Sequence, residues 1–345
     1  MKTTAAILVE ANRPLEIVDL DVPALKPGQA IVEMSHTGVC HTQLLEVRGH
    51  RGDDPYLPHC LGHEGSGVVR DIGADVTRVA TGDAVVCSWI KGEGCNTPGS
   101  VYQWGGHDVN AGGITTFQRF AVISENRLTK MPDGVSMRDA AMIGCAVPTG
   151  VGAVLNTAAA QQGESIAVFG CGGVGLCAIA GAVIAGCSPV IAVDLLPDKL
   201  ALATQMGATH TVDASTGNVI DAVHAACDGR LDIAIEATGV PAVMAQTLEA
   251  VRMQGGRAVV IGNAKHGQTL SFDPKQLNMG KRLLGTWGGD CLPPRDVPRF
   301  GRFIADGRLN LAPLIGRTYA LEQINTALDD LEAGSVARPM VCLGV

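Results

Sequence analysis

The chain has 345 residues, 46% of them hydrophobic and 17% charged, and carries a net charge of −8 at pH 7. That length supports two cores, since a single core stops growing at roughly 250–300 residues, and the composition excludes extended disorder. The acidic balance argues against nucleic acid or an anionic membrane as a partner, because both demand a basic face. The first ten residues, Met1 to Glu10, lack the long apolar core of a signal peptide, and the longest apolar stretch, Val174 to Cys187, falls short of the ~20 residues of a membrane span. Eleven cysteines, odd in number and without paired short spacings, read as reduced thiols, so the cytoplasm is the expected compartment.

In chain order, the first ~150 residues alternate short β-type runs with Gly- and Pro-bearing turns. Ala30 to Met34, Gly67 to Arg70 and Ala84 to Ser88 are examples, split by Lys26-Pro27-Gly28 and Thr81-Gly82-Asp83. The pattern predicts a small, irregular β-barrel-like domain. From about Val147, strands alternate with helical stretches, which predicts parallel βαβ units in a doubly wound sheet. After roughly Gly285 the character is mixed again and closes on an amphipathic helix near Leu321 to Ala333. Leu321, Ile324, Leu328 and Leu331 share one face of it, as core residues should.

Within the alternating region, Ile166-Ala167-Val168-Phe169 runs straight into Gly170-Cys171-Gly172-Gly173-Val174-Gly175 and then into an apolar helix. A lone glycine motif of this kind is weak in a chain with 44 glycines, but here strand, turn and helix are all in place. The first Gly makes the turn, the second admits a pyrophosphate, and the third lets the helix pack on the strand. The next strand ends in Asp194, where a carboxylate can grip ribose hydroxyls, and no cation follows it for a 2′-phosphate. That predicts NAD rather than NADP.

Three distant residues stand in short Gly-bearing contexts suited to a metal: Cys40, His63 and Cys145. Two thiolates and an imidazole leave a fourth tetrahedral position open, the arrangement of a catalytic rather than a structural zinc.

With these motifs the sequence resembles, over essentially its whole length, the zinc-dependent medium-chain dehydrogenase/reductase family of alcohol dehydrogenase type. The resemblance implies an α/β fold in which a GroES-like β-barrel catalytic domain (1–147) carries an inserted Rossmann domain (148–285), and the chain then returns to the catalytic domain (286–345). It implies one catalytic zinc per subunit on Cys40, His63 and Cys145, with Glu64 beside the metal and Thr42 passing the substrate's proton outward. It places His41 and Arg338 towards the cofactor pyrophosphate, a surface salt bridge being the other reading of Arg338. Gly170, Gly172, Gly173, Val174, Gly175, Asp194, Lys199 and Thr238 would complete the NAD site. The implied partner is a small alcohol, aldehyde or ketone, and the implied assembly a homo-oligomer, dimer or tetramer.

Three positions depart from the family pattern. Gln43 replaces an Asp that hydrogen-bonds a ligating His. Leu45 replaces a His that ends the proton relay in some members. The stretch from Cys87 to Gly113 holds only Cys87 and Cys95 where many members bind a structural zinc with four cysteines, so that site is expected to be missing. The substrate class stays open: a polyol, sugar or amino-sugar dehydrogenase would use the same machinery, whereas a metal-free enone or quinone reductase would lack the ligands. Trp89, Tyr102, Trp104 and Trp287 are candidates for the pocket or for core packing.

Overall fold

The computed structural model describes residues 1–344 and divides into two compact units. One comprises Met1–Cys145, Leu292–Gly307 and the segment from Ile315 onward; the other comprises Ala146–Cys291 and Arg308–Leu314.

In the first unit, five short strands close a barrel: Lys2–Leu8, Glu16–Asp21, His59–Cys60, Val101–Trp104 and His107–Asn110. A seven-stranded sheet is centred on the longest strand, Gln29–Gly38, which is buried along nearly its whole length. Successive side chains alternate between faces, so Ala30, Val32 and Met34 enter one core cluster while Ile31 enters another. Register decides what happens at the end of this sheet. Thr37 lies opposite Gly65, Gly38 opposite Met340, and Glu64 opposite Ser88. Residues just beyond those pairs, among them Cys40, His63 and Arg338, are thereby gathered at one edge although nearly the whole chain separates them in sequence.

The second unit holds a six-stranded parallel sheet in the order His210–Asp213, Val190–Asp194, Ile166–Phe169, Ile233–Glu236, Arg257–Val260, Arg282–Gly285. Ile166–Phe169 and Ile233–Glu236 are buried at every position, as central strands covered on both faces must be. Helix Gly173–Ala185 is correspondingly apolar almost all round and stops at Gly186, whose φ of 75° lies in the left-handed region.

One local expectation changes and one open alternative is resolved. The closing helix begins at Ile324 and runs to Glu332, after a separate 3₁₀ turn over Leu321–Gln323. Leu321, Ile324 and Leu328 are buried, and Leu331 is partly so. Tyr102, left open between the pocket and core packing, is a core residue: it is fully buried, and its hydroxyl accepts from Val122 N–H at 2.8 Å and from Gln118 Nε2 at 2.9 Å.

Candidate metal centre and nucleotide turn

Three turns deliver the three candidate ligands. Cys40 caps the short helix His41–Val47. It follows Gly38, where a Cβ would collide with the Glu64 carboxylate. His63 comes after Gly62, whose φ of 89° suits glycine and whose added Cβ would lie 2.8 Å from the Phe117 backbone nitrogen. Cys145 sits between helices Met137–Met142 and Ala146–Gly152. Its neighbour Gly144 accepts a 2.7 Å hydrogen bond from Ser88 Oγ, which fixes the turn to the sheet. The result is a cluster whose donor atoms all lie within 4.8 Å of one another. Among the described residues it is the one group of three or more His, Cys, Asp or Glu side chains placed to hold a metal.

The chemistry of the cluster suits zinc, which takes thiolate and imidazole donors readily. A hydrogen bond from Cys145 holds the Cys40 thiol well below its ordinary pKa, with Arg338 and His63 adding to the effect. Cys145, as the donor, is pushed up. His63 Nε2 lies 3.2 Å from Cys145 Sγ.

Glu64 and Arg338 form a buried ion pair behind the ligands. Arg338 Nε donates to Glu64 Oε1 at 2.9 Å, and Nη2 donates to the same oxygen. Neither side chain is more than 3% exposed, so the surface salt bridge considered for Arg338 is corrected to an interior one. Burial pushes the Glu64 carboxyl up, opposed by Arg338. Burial also works against the Arg338 charge, but Cys40, Glu64 and Cys145 outweigh it and hold the guanidinium firmly protonated.

Thr42 Oγ1 lies 3.8 Å from Cys40 Sγ. Leu45 is buried and offers no base, and His41 is exposed at the start of the same helix. Gln43 is a residue whose position sequence reasoning undervalued. Its side chain is buried, its Oε1 accepts from Cys40 N–H at 2.9 Å, and its Nε2 meets His63 Nδ1. The signal was present: Gln three places after a helix cap is the residue that reaches back to the cap's backbone N–H.

In the second unit, Gly170 has φ 95°, and a Cβ on Gly175 would strike the Gly170 carbonyl oxygen. The helix from Gly173 has Gly172 as its cap and no side-chain cap bond, which leaves its first N–H groups for an anion. Asp194 does not cap the next helix, whose cap is Leu196. Instead its Oδ2 accepts from Cys171 N–H at 2.7 Å and its Oδ1 from Leu196 N–H at 3.1 Å, which ties the glycine turn to the strand end. Lys199 is half-buried on that helix. Thr238 is exposed, and its hydroxyl donates to Glu236 Oε1 at 2.6 Å.

The stretch lacking a cysteine quartet is anchored by a carboxylate that sequence reasoning overlooked. Glu125 is fully buried and accepts from the backbone N–H groups of Thr77, Arg78 and Cys95 at 2.5, 2.6 and 2.7 Å. Cys87 is a core residue of strand Ala84–Ser88.

Residues 26–133 match the alcohol dehydrogenase GroES-like domain, and residues 173–306 match the zinc-binding dehydrogenase domain. An S-(hydroxymethyl)glutathione dehydrogenase of Synechocystis is 34% identical across 99% of this chain and all of its own length. The chain belongs to the zinc-dependent alcohol dehydrogenases of the medium-chain dehydrogenase/reductase family. The fold agrees. A zinc-binding-domain alcohol dehydrogenase from Burkholderia ambifaria superposes with a TM-score of 0.91 at 31% identity, and benzyl alcohol dehydrogenase from Acinetobacter calcoaceticus with 0.90 at 30%. Both cover the two chains completely. As a zinc-dependent alcohol dehydrogenase, this chain is an oxidoreductase of the alcohol type, and the GroES-like and Rossmann architectures of its two units are those of the family. None of its described helices is long and apolar enough to cross a membrane.

Proposed function

We propose that this enzyme interconverts an alcohol and its aldehyde or ketone with NAD, using one zinc held by Cys40, His63 and Cys145. The observation that carries this reading is the two-sulfur, one-imidazole cluster, whose donor atoms all lie within 4.8 Å of one another. It also weighs against a metal-free enone reductase, which has no use for such a set. Zinc, when bound, supplies Lewis acidity beside the substrate oxygen, and the nicotinamide supplies the hydride acceptor.

The chain's own residues do the rest. The Thr42 hydroxyl takes the proton leaving the substrate hydroxyl and passes it outward. With Leu45 beyond it, that path ends on water or on a cofactor hydroxyl. The Glu64–Arg338 pair holds the charge behind Cys40 fixed, so the ligands need not reorganise as substrate charge develops. The open N–H groups at the start of helix Gly173–Ala185 receive a pyrophosphate. Asp194, its orientation fixed by Cys171 N–H, accepts from the ribose diol and repels a 2′-phosphate. Lys199 and Thr238 flank the same nucleotide. The protein works as a homo-oligomer in this reading.

Benzyl alcohol and S-(hydroxymethyl)glutathione, the substrates named by its relatives, head the panel that tests it. Metal analysis should return about one zinc per subunit, and turnover should strongly favour NAD over NADP. Equal use of both dinucleotides would reject the cofactor assignment. A preference for polyols over simple and aromatic alcohols would move the substrate class.

A further inference from the structure

Gln43 is buried to 2% exposure, so its amide has no water to turn to and must be satisfied by the two groups it touches. Oε1 accepts from Cys40 N–H at 2.9 Å, and this bond fixes which way the amide points. The atom facing His63 Nδ1 is then Nε2, an NH₂ group that only donates. His63 Nδ1 must accept, so the ring proton resides on Nε2, the nitrogen 3.2 Å from Cys145 Sγ. That is the wrong tautomer for a ligand. To give the Nε2 lone pair to a metal, His63 has to carry its proton on Nδ1, and that proton needs an acceptor.

The amide owns one oxygen and faces two N–H groups. Left as it is, it presents NH₂ to His63 Nδ1–H; turned over, it presents NH₂ to Cys40 N–H. Either orientation sets donor against donor inside the protein. A carboxylate at this place would meet both groups with an acceptor.

We propose that Gln43 is a positioning residue for the zinc centre: it favours the non-ligating tautomer of His63, and so makes zinc binding weaker and more readily reversed than an isosteric carboxylate would. This inference rests on the reading of Cys40, His63 and Cys145 as the zinc ligands. It makes metal loading a step coupled to reversal of the Gln43 amide, which gives the enzyme a built-in bias toward exchange.

The test is zinc affinity by chelator competition on the full-length protein, wild type against Gln43→Glu, with Gln43→Met as the variant lacking both polar atoms. Outer-shell partners of ligating histidines typically change metal affinity by about 10–100-fold. Gln43→Glu should therefore tighten zinc by a factor in that range, and Gln43→Met should not reproduce the gain. An unchanged or weaker affinity in folded Gln43→Glu would overturn the proposal.

A second measurement needs no variant at the position. ¹⁵N-histidine spectra of the wild type, at one fixed neutral pH, should show His63 protonated on Nε2 without metal and on Nδ1 with zinc. The Gln43 side-chain amide signals should shift in the same step. A Nδ1–H tautomer already present in the metal-free protein would overturn the proposal even if Gln43→Glu failed to fold. Failure of the underlying reading looks different: zinc would then survive Cys145→Ser undiminished, and no histidine signal would respond to the metal.

Discussion

At the metal centre the working groups are side chains drawn from distant parts of the sequence: Cys40, His63, Cys145, and behind them Glu64 and Arg338. At the proposed nucleotide turn they would be mostly backbone N–H groups, all within one strand–turn–helix unit, with Asp194 the main side chain involved. The first place is dense in buried charge, where each group sets the ionisation of the next. The second is nearly free of side chains, and it depends on what glycine leaves out. One should therefore fail through chemistry and the other through shape, and the two failures can be separated.

The largest expected effect is at the metal centre. Cys145→Ser removes one of the two sulfur ligands, so zinc content should fall well below one equivalent and turnover to near background. Full metal content with near-normal turnover would break the ligand assignment. Next is Thr42→Val, which keeps the shape of the side chain and deletes its hydroxyl. Positioned proton transfer is typically worth 10²–10⁴-fold; kcat/KM should drop by about that factor while zinc stays bound. Turnover within a few-fold of wild type would show that the proton leaves by another route.

At the nucleotide turn the expected loss is smaller and of a different kind. Asp194→Gly should raise KM for NAD by roughly tenfold or more, the weight of a charge-assisted hydrogen bond or two, and erode the preference over NADP. Zinc content should not move. A parallel loss of metal would mean that the two regions are not separable after all.

These regions were also unequally readable. The glycine turn lies in one contiguous segment, so its strand, motif and helix could be read together, and alternation pointed to a parallel sheet, although its outer strands His210–Asp213 and Arg282–Gly285 were not singled out. The zinc trio was legible because each ligand carries its own local glycines. What lay behind it was not. The Glu64–Arg338 pair joins residues 274 positions apart and exists because Gly38 registers against Met340. Its burial could not be foreseen, since an arginine near a chain end is ordinarily a surface residue. Tyr102 sat in a stretch that reads as loop, yet the barrel closed over it. Gln43 looked like a simple loss of charge until its two contacts showed which atom faces which.

The smallest effect belongs to the loop without a cysteine quartet. Burial pushes the Glu125 carboxyl up, but N–H donors of Cys95, Thr77 and Arg78 outweigh it and draw its pKa below the ordinary value. A depressed carboxyl stabilises the fold fully above the unfolded value, about 4.3, and the contribution is lost as pH falls through the lower folded value. Glu125→Gln should cost about 1–3 kcal/mol near neutral pH and flatten the acid limb of a thermal-melting profile. An unaltered profile would remove Glu125 as the anchor.

A loop tied down by a carboxylate has nothing for a chelator to strip and no thiolate quartet for peroxide to attack. With Glu125 as its anchor, that lobe is expected to stand without a metal. Exhaustive dialysis against a strong chelator should yield an empty but standing protein, ready to be refilled with cobalt or cadmium as a spectroscopic probe, without the collapse that a metal-stapled lobe would risk.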